Sequence, residues 1–271
     1  MPRDLAAYRR TAGQFGRDYQ YLADVASTND VVQASAQAGA AEGLVVVAGR
    51  QTAGRGRLQR RWDAPAGRSL LMSLLFRPPA PFAHTAGRIT MLCGTSLVVA
   101  IRAVAGLRVQ LKWPNDLIIA DAGVPGGWLK LAGMLSEVVL SDAGRPEALV
   151  VGVGVNVNVA AEDLPALAPN AGSLAVIAGR EIDRADLLDA FLAEVDRCYA
   201  GLLRGIDPLP DWRAQLAWLG AAVVVRRAGD VIQGTAVDVD DDGALVLRLP
   251  DGRHRRFLAG DVSLRLSGKG C

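Results

Sequence analysis

The residues of this chain best suited to chemistry are Gln51-Thr52-Ala53-Gly54-Arg55-Gly56-Arg57, where two glycines alternate with two permanent cations. Glycine lets backbone N–H groups approach a ligand, and the guanidinium fork matches the oxygens of a carboxylate or phosphate. The expected chemistry is an anion clamp, best suited to a phosphorylated or acyl-phosphate ligand. A solvated turn or a generic nucleic-acid contact would use the same residues. Three further clusters follow: Lys112-Trp113-Pro114-Asn115-Asp116, Lys130-Leu131-Ala132-Gly133-Met134-Leu135, and Gly152-Val153-Gly154-Val155-Asn156-Val157-Asn158. Lys130 opens an apolar run with Gly133 close behind, so its ammonium can reach into a pocket where a side chain is missing. Singly, each lysine also reads as a solvated charge, and Asn115-Asp116 after Trp-Pro also reads as a turn. In the last cluster valine alternates with glycine or asparagine, so a strand there has a valine core face and a nearly bare face that admits a flat ring. It lacks the third glycine of a dinucleotide fingerprint, and there is no Walker lysine motif.

The elements that must position these clusters follow from periodicity. The leader reads as helical around Tyr19, Leu22 and Val25, and Ser27-Thr28-Asn29-Asp30 as the cap of a following helix. Residues 44–48 and 69–76 read as buried strands bridged by the Gly/Arg loop, the second ended by Pro78-Pro79. Apolar spacing predicts a long buried helix over 86–104, with Gly94 a weak point in its continuity. Runs at 109–112, 117–120, 130–140 and 148–158 predict a meander of strands, with 122–127 a mobile Gly/Pro surface loop. A long amphipathic helix over 183–203 has Asp183 as its N-cap, and a shorter one covers 211–219. After Gly220 five short strands alternate with turns at Ala228-Gly229-Asp230, Asp241-Asp242-Gly243 and Pro250-Asp251-Gly252, which suits a small barrel. Two domains result, 1–219 and 220–271.

Composition narrows the function. The 271 residues are 51% hydrophobic with a formal net charge of +2, and the charges are mixed along the chain, which disfavours a dedicated nucleic-acid binder. Cys93, Cys198 and Cys271 are odd in number and lack CxxC spacing, which argues against a disulfide framework or zinc site and for a reducing, cytoplasmic setting. The N-terminus has no apolar signal core, and no apolar run is expected to reach a membrane span. His84 and His254 stand apart, so histidine triads and histidine-metal clusters have little support.

Ser-Thr-Asn at 27–29, the 51–57 segment followed by Arg60-Arg61-Trp62, Lys-Trp-Pro-Asn-Asp-Leu at 112–117, Lys-Leu-Ala-Gly-Met-Leu at 130–135 and the 152–158 run occur in the order seen in biotin protein ligases. The chain resembles that family over about residues 20–160. The resemblance implies an α+β fold: a central mixed β-sheet flanked by helices, of class II synthetase or biotin ligase type, with an SH3-like C-terminal barrel. It implies activation of biotin by ATP to biotinyl-5'-AMP, then transfer to a lysine of a biotin carboxyl carrier protein or domain of an acetyl-CoA or acyl-CoA carboxylase. Ser27, Thr28, Asn29, Gln51, Gly54, Arg55, Gly56, Arg57, Lys130 and Gly133 would bind biotin. Arg55, Arg57, Trp62, Lys112, Asn115, Lys130, Gly152, Gly154 and Asn156 would bind ATP and the adenylate. Lys130, Arg57 and Asp116 would be catalytic, with Asp116 orienting or deprotonating the incoming amine. Mg²⁺ would arrive on ATP, with no metal held by the protein. No specific nucleic acid and no membrane would be partners, and a homodimer is compatible with the resemblance. Two departures stand out: Leu58-Gln59 where many relatives carry glycine, implying a stiffer loop, and the longer insert before Lys130. Lipoate or octanoate ligation, a biotin-responsive repressor-ligase and a noncatalytic binder remain as alternatives. The repressor is disfavoured because only 26 residues precede Ser27.

Overall fold

The computed structural model describes residues 3–79, 82–124, 126–227, 230–258 and 262–266. Cys271, Pro125 and the Ala228-Gly229 part of one expected turn lie outside them. In chain order the elements are β1 (Tyr19–Val25), α1 (Thr28–Gln37), β2 (Val45–Gln51), β3 (Ser69–Phe76), α2 (Phe82–Ala105), β4 (Gln110–Lys112), β5 (Asp116–Ala120), β6 (Trp128–Leu140) and β7 (Pro146–Asn156). Then come α3 (Leu164–Leu167), α4 (Leu174–Ala178), α5 (Arg184–Leu203), α6 (Leu209–Ala214), β8 (Ala222–Arg227), β9 (Asp230–Val239), β10 (Leu245–Arg248), β11 (His254–Phe257) and β12 (Val262–Leu266).

The first seven strands form one mixed sheet in the order β1-β2-β3-β7-β6-β5-β4, parallel only between β1 and β2. Side chains alternate across it. On β7, Val151, Val153 and Val155 join the core beneath α2 and α5, whereas Ala148 and Val150 pack with Val32 and Ala36 of α1. The glycines that continue this second face extend beyond α1 and carry the cavity described below. The last five strands form an antiparallel sheet, β11-β10-β9-β8-β12. Val223, Val225 and Leu245 of this sheet share the core of α2 and α5.

Several expectations are corrected. The leader segment around Tyr19 is strand β1, not helix, because pairing with β2 satisfies its backbone. Gly94 does not interrupt α2; its bare Cα lets Leu111 and Met134 pack close. The helix expected over 211–219 ends at Ala214, since Leu216 instead bridges Leu111 at the outer edge of β4. Asp183 caps α5 as anticipated, accepting from the N–H groups of Ala185 and Asp186. The 22-residue stretch His84–Ala105 is long and apolar enough to cross a membrane, contrary to the sequence expectation, but 67% of its most apolar window is buried inside the fold. The ends of the insert are joined by hydrogen bonds, Asp121 N–H donating to Gly127 O and Gly127 N–H to Val124 O.

Candidate functional site

A cavity of about 720 Å³ opens over the bare face of β6 and β7, and the four motif clusters meet in it. Its floor is glycine. A Cβ on Gly152 would lie 2.2 Å from Asn29 Oδ1, and one on Gly154 would lie 2.5 Å from Trp62 Cε2, so only glycine fits there.

At one end, Ser27, Thr28 and Asn29 begin α1 and are buried. Ser27 makes no side-chain cap bond, so these polar groups serve the cavity wall. Gln51 Oε1 accepts from Thr28 N–H (2.7 Å) and from its hydroxyl (3.1 Å). Ser73 Oγ donates to Asn29 Oδ1 (2.6 Å), while Asn29 Nδ2 donates to Glu137 Oε2 (2.5 Å). These bonds fix which way the Asn29 amide faces.

The Gly/Arg segment folds back as a small hairpin. Trp62 N–H donates to Gly54 O, Gly56 N–H donates to Arg60 O, and Arg55 bridges Arg61. Leu58 and Gln59, at its tip, have φ of 58° and 57°. The chain thus keeps without glycine a left-handed backbone, at about 1–2 kcal/mol per residue. Arg55 spans to Asp30 (2.5 Å) and Glu137 (3.1 Å), and Arg57 Nη1 donates to Asn115 Oδ1 (3.1 Å). The hairpin delivers the Trp62 ring onto Gly154 and Gly133.

At the other end Lys130 Nζ lies 2.7 Å from Asp116 Oδ1 and 5.3 Å from the centre of the Trp62 ring; Lys112 Nζ lies 3.4 Å from Asp116 Oδ2. Burial alone would raise the Asp116 pKa, but the two ammonium groups outweigh it and hold the carboxyl below the usual carboxylate range. Asn115 exchanges bonds with Met134, which fastens the Trp113-Pro114 turn to β6. Lys130 itself is pinned through its backbone, donating to Asn170 O and accepting from Gly172 N–H.

Among the described residues, three buried polar atoms of the cavity lining have no partner: Trp62 Nε1, Asn156 Oδ1 and Asn170 Nδ2. Two donors and one acceptor left unsatisfied are costly unless a ligand completes them. A flat heterocycle with both an N–H donor and ring-nitrogen acceptors has the complementary chemistry.

Every candidate residue named from the sequence lines this cavity except Gly54. Gly54 acts behind the wall, where a Cβ would collide with Trp62 O at 2.3 Å. Sequence reasoning missed Glu137, although it is the only acid in β6 and that isolation was a usable signal. It also missed the 167–171 segment, which carries no pattern. Cys93 and Cys198 are free thiols that do not line the cavity, and among the described residues no group of three His, Cys, Asp or Glu is placed to hold an ion.

Residues 21–156 match the biotin/lipoate A/B protein ligase family, and 219–265 match the biotin protein ligase C terminal domain. The chain belongs to the biotin/lipoate A/B protein ligase family. It is a ligase enzyme of that family. A biotin--[acetyl-CoA-carboxylase] ligase of Mycobacterium tuberculosis is 34% identical over 261 residues, covering 93% of this chain and 90% of that protein. The bifunctional ligase/repressor BirA of Bacillus subtilis is 31% identical over 252 residues, 92% of this chain and 74% of that one. Among solved structures, the Aquifex aeolicus biotin protein ligase in complex with biotin and ATP superimposes with a TM-score of 0.74 at 25% identity, covering 93% of this chain and all of that one. The family fold thus accounts for the mixed sheet and flanking helices.

Proposed function

We propose that this ligase joins biotin to AMP and then transfers biotin to a lysine of a biotin carboxyl carrier protein or domain. The observation that carries the reading is the convergence of Lys130 and Arg57 on one cavity whose floor is bare glycine. Biotin's ureido ring would meet Thr28, Asn29 and Gln51, with Ser27, Gly56 and Gly133 shaping its walls. Adenine would lie toward Gly154 and Asn156, where the unpartnered donor and acceptor atoms suit its edge. Arg55, Asn115 and Lys112 would border the phosphate side. We further assign 1–219 to the catalytic unit and 220–271 to an SH3-like C-terminal unit.

In the first step a biotin carboxylate oxygen attacks the α-phosphorus of ATP and pyrophosphate leaves. Two anions must approach, and the cations of Lys130 and Arg57 offset their repulsion where water is scarce. Mg²⁺ would enter on the nucleotide phosphates; Asp116 is already engaged by two lysines. In the second step the carrier amine attacks the acyl carbon and AMP leaves. The depressed pKa of Asp116 makes it a weak base, so it would orient the amine rather than remove its proton.

The test is pyrophosphate release from ATP with biotin, lipoate or octanoate supplied separately, followed by transfer to an apo carrier domain. Release with biotin alone is expected; release with lipoate or octanoate instead would overturn the choice of vitamin. Failure to label the carrier would overturn the second step. A carboxylase partner accords with the name of the Mycobacterium tuberculosis relative, and a cytoplasmic location rests on the cysteine pattern alone. A homodimer is tested by light scattering, and specific DNA binding at physiological salt would revive the repressor reading.

A further inference from the structure

The residues on either side of Lys112 are tied to the far end of the chain. Leu111 N–H donates to Gln215 O and Leu111 O accepts from Ala217 N–H, so the link into the C-terminal sheet runs along the edge of β4. Trp113 Nε1 donates to Gly243 O (3.0 Å), in the β9–β10 turn. Between these tethers Lys112 Nζ lies 4.8 Å from the Trp128 ring centre and 5.6 Å from that of Trp218, and the two indoles meet edge to face. Trp218 has φ of 70°, a left-handed backbone that a bulky L residue adopts only under compulsion, and Gly220 two residues on shows that this junction has access to glycine. Trp218 does not line the cavity, yet its ring faces the cation that meets Asp116.

We propose that Trp218 is a positioning residue: with Trp128 it seats Lys112, which holds Asp116 and through it Lys130, so that the junction to the C-terminal sheet sets the reacting end of the cavity. The proposal rests on the ligase reading above. A desolvated cation between two indole faces is attracted to both, and the second face removes the freedom that one alone would leave. The C-terminal sheet thereby acts on the chemistry without touching substrate.

The experiment compares the full chain with Trp218→Phe and Trp218→Gly. Glycine relieves the backbone and removes the ring; phenylalanine keeps a ring. For biotin-dependent pyrophosphate release, Trp218→Gly is expected to lower kcat about tenfold, and Trp218→Phe to recover it to within about threefold. Biotin KM should stay within about twofold, because Thr28, Asn29 and Gln51 are untouched. All proteins are assayed well below their melting temperatures, because losing a ring packed against the core and Trp128 offsets the relief of the backbone in Trp218→Gly. A parental kcat in Trp218→Gly would overturn the proposal, as would a loss of kcat that phenylalanine does not recover. A second measurement is independent of activity. The chain has three lysines, Lys112, Lys130 and Lys269, so ¹³C-lysine labelling yields few side-chain signals. The Lys112 ε-CH₂ signal, assigned by Lys112→Arg, should lie upfield under the indole ring currents and move downfield in Trp218→Gly. An unmoved signal would overturn the seat even if the parent showed no biotin-dependent turnover, an outcome that would by itself count against the ligase reading.

Discussion

Alanine at Gly152 and alanine at Gly154 should injure the binding of different substrates, although the positions are two residues apart on one face of β7. That strand is paired on both sides, Gly152 with Ser73 and Leu135 and Gly154 with Leu71 and Gly133, so its backbone cannot retreat. With ordinary contact beginning near 3.4 Å, Asn29 must yield by about 1.2 Å in the first variant and Trp62 by about 0.9 Å in the second. Displacing Asn29 breaks its bonds to Ser73 and Glu137. One neutral and one charge-assisted hydrogen bond amount to about 2–3 kcal/mol, roughly 30- to 150-fold in biotin affinity. Displacing Trp62 costs its flush stacking on the floor, about 1 kcal/mol or roughly fivefold in nucleotide affinity. Calorimetric titration with biotin, then with a nonhydrolysable ATP analogue on the biotin-loaded protein, measures both. Thermal unfolding checks that the fold persists, since alanine is at least as suited to a strand as glycine. Equal losses for both ligands in both variants, or a Gly152→Ala protein whose biotin affinity stays within about twofold, would refute the division of the cavity into two ends.

Asp116 gives a prediction in pH. Its folded pKa lies below the unfolded one, so the contribution of the ionised group is present above the unfolded value and lost only as pH falls through the folded one. Between about pH 5 and 8, Asp116→Asn should lower the carrier-transfer rate without moving the pH profile; abolition of an acid limb near neutrality would make Asp116 a base after all. Lys130→Met should reduce adenylate formation by about 10²–10³-fold, read as pyrophosphate release, because it removes a cation from the transition state and strips Asp116 of its nearest partner. Glu137→Gln keeps an acceptor for Asn29 but weakens the hold on Arg55, so adenylate should escape several-fold faster in a trapping assay while biotin affinity changes little. Leu58→Gly with Gln59→Gly should accelerate hairpin closure, seen as a faster Trp62 fluorescence change on biotin and ATP binding, by relieving two positive φ angles.

Much of the fold was legible because local pattern and tertiary demand agreed. Ser69–Phe76 is buried throughout and apolar except at Ser69 and Ser73; the helix capped by Asp183 presents Leu187, Leu188, Phe191, Leu192 and Val195 to one core. Strand β1 was misread because Tyr19, Leu22 and Val25 recur at a spacing that also suits a helix, while its pairing with β2 bridges a whole intervening helix. The site divides the same way. Lys130, Arg57, Asp116 and the β7 glycines announced themselves by residue type, because cations, carboxylates and bare backbone have few reasons to cluster. Glu137 acts through Asn29 and Arg55, which are distant in sequence, and residues 170 and 172 act through peptide groups that every residue possesses. Side-chain chemistry at a site is therefore written locally, whereas its alignment is not. Lys112 shows both: its charge is visible at position 112, but the two indoles that face it come from either end of a 90-residue interval, and they meet because β4 pairs through β5 with β6 on one side and bridges Leu216 on the other.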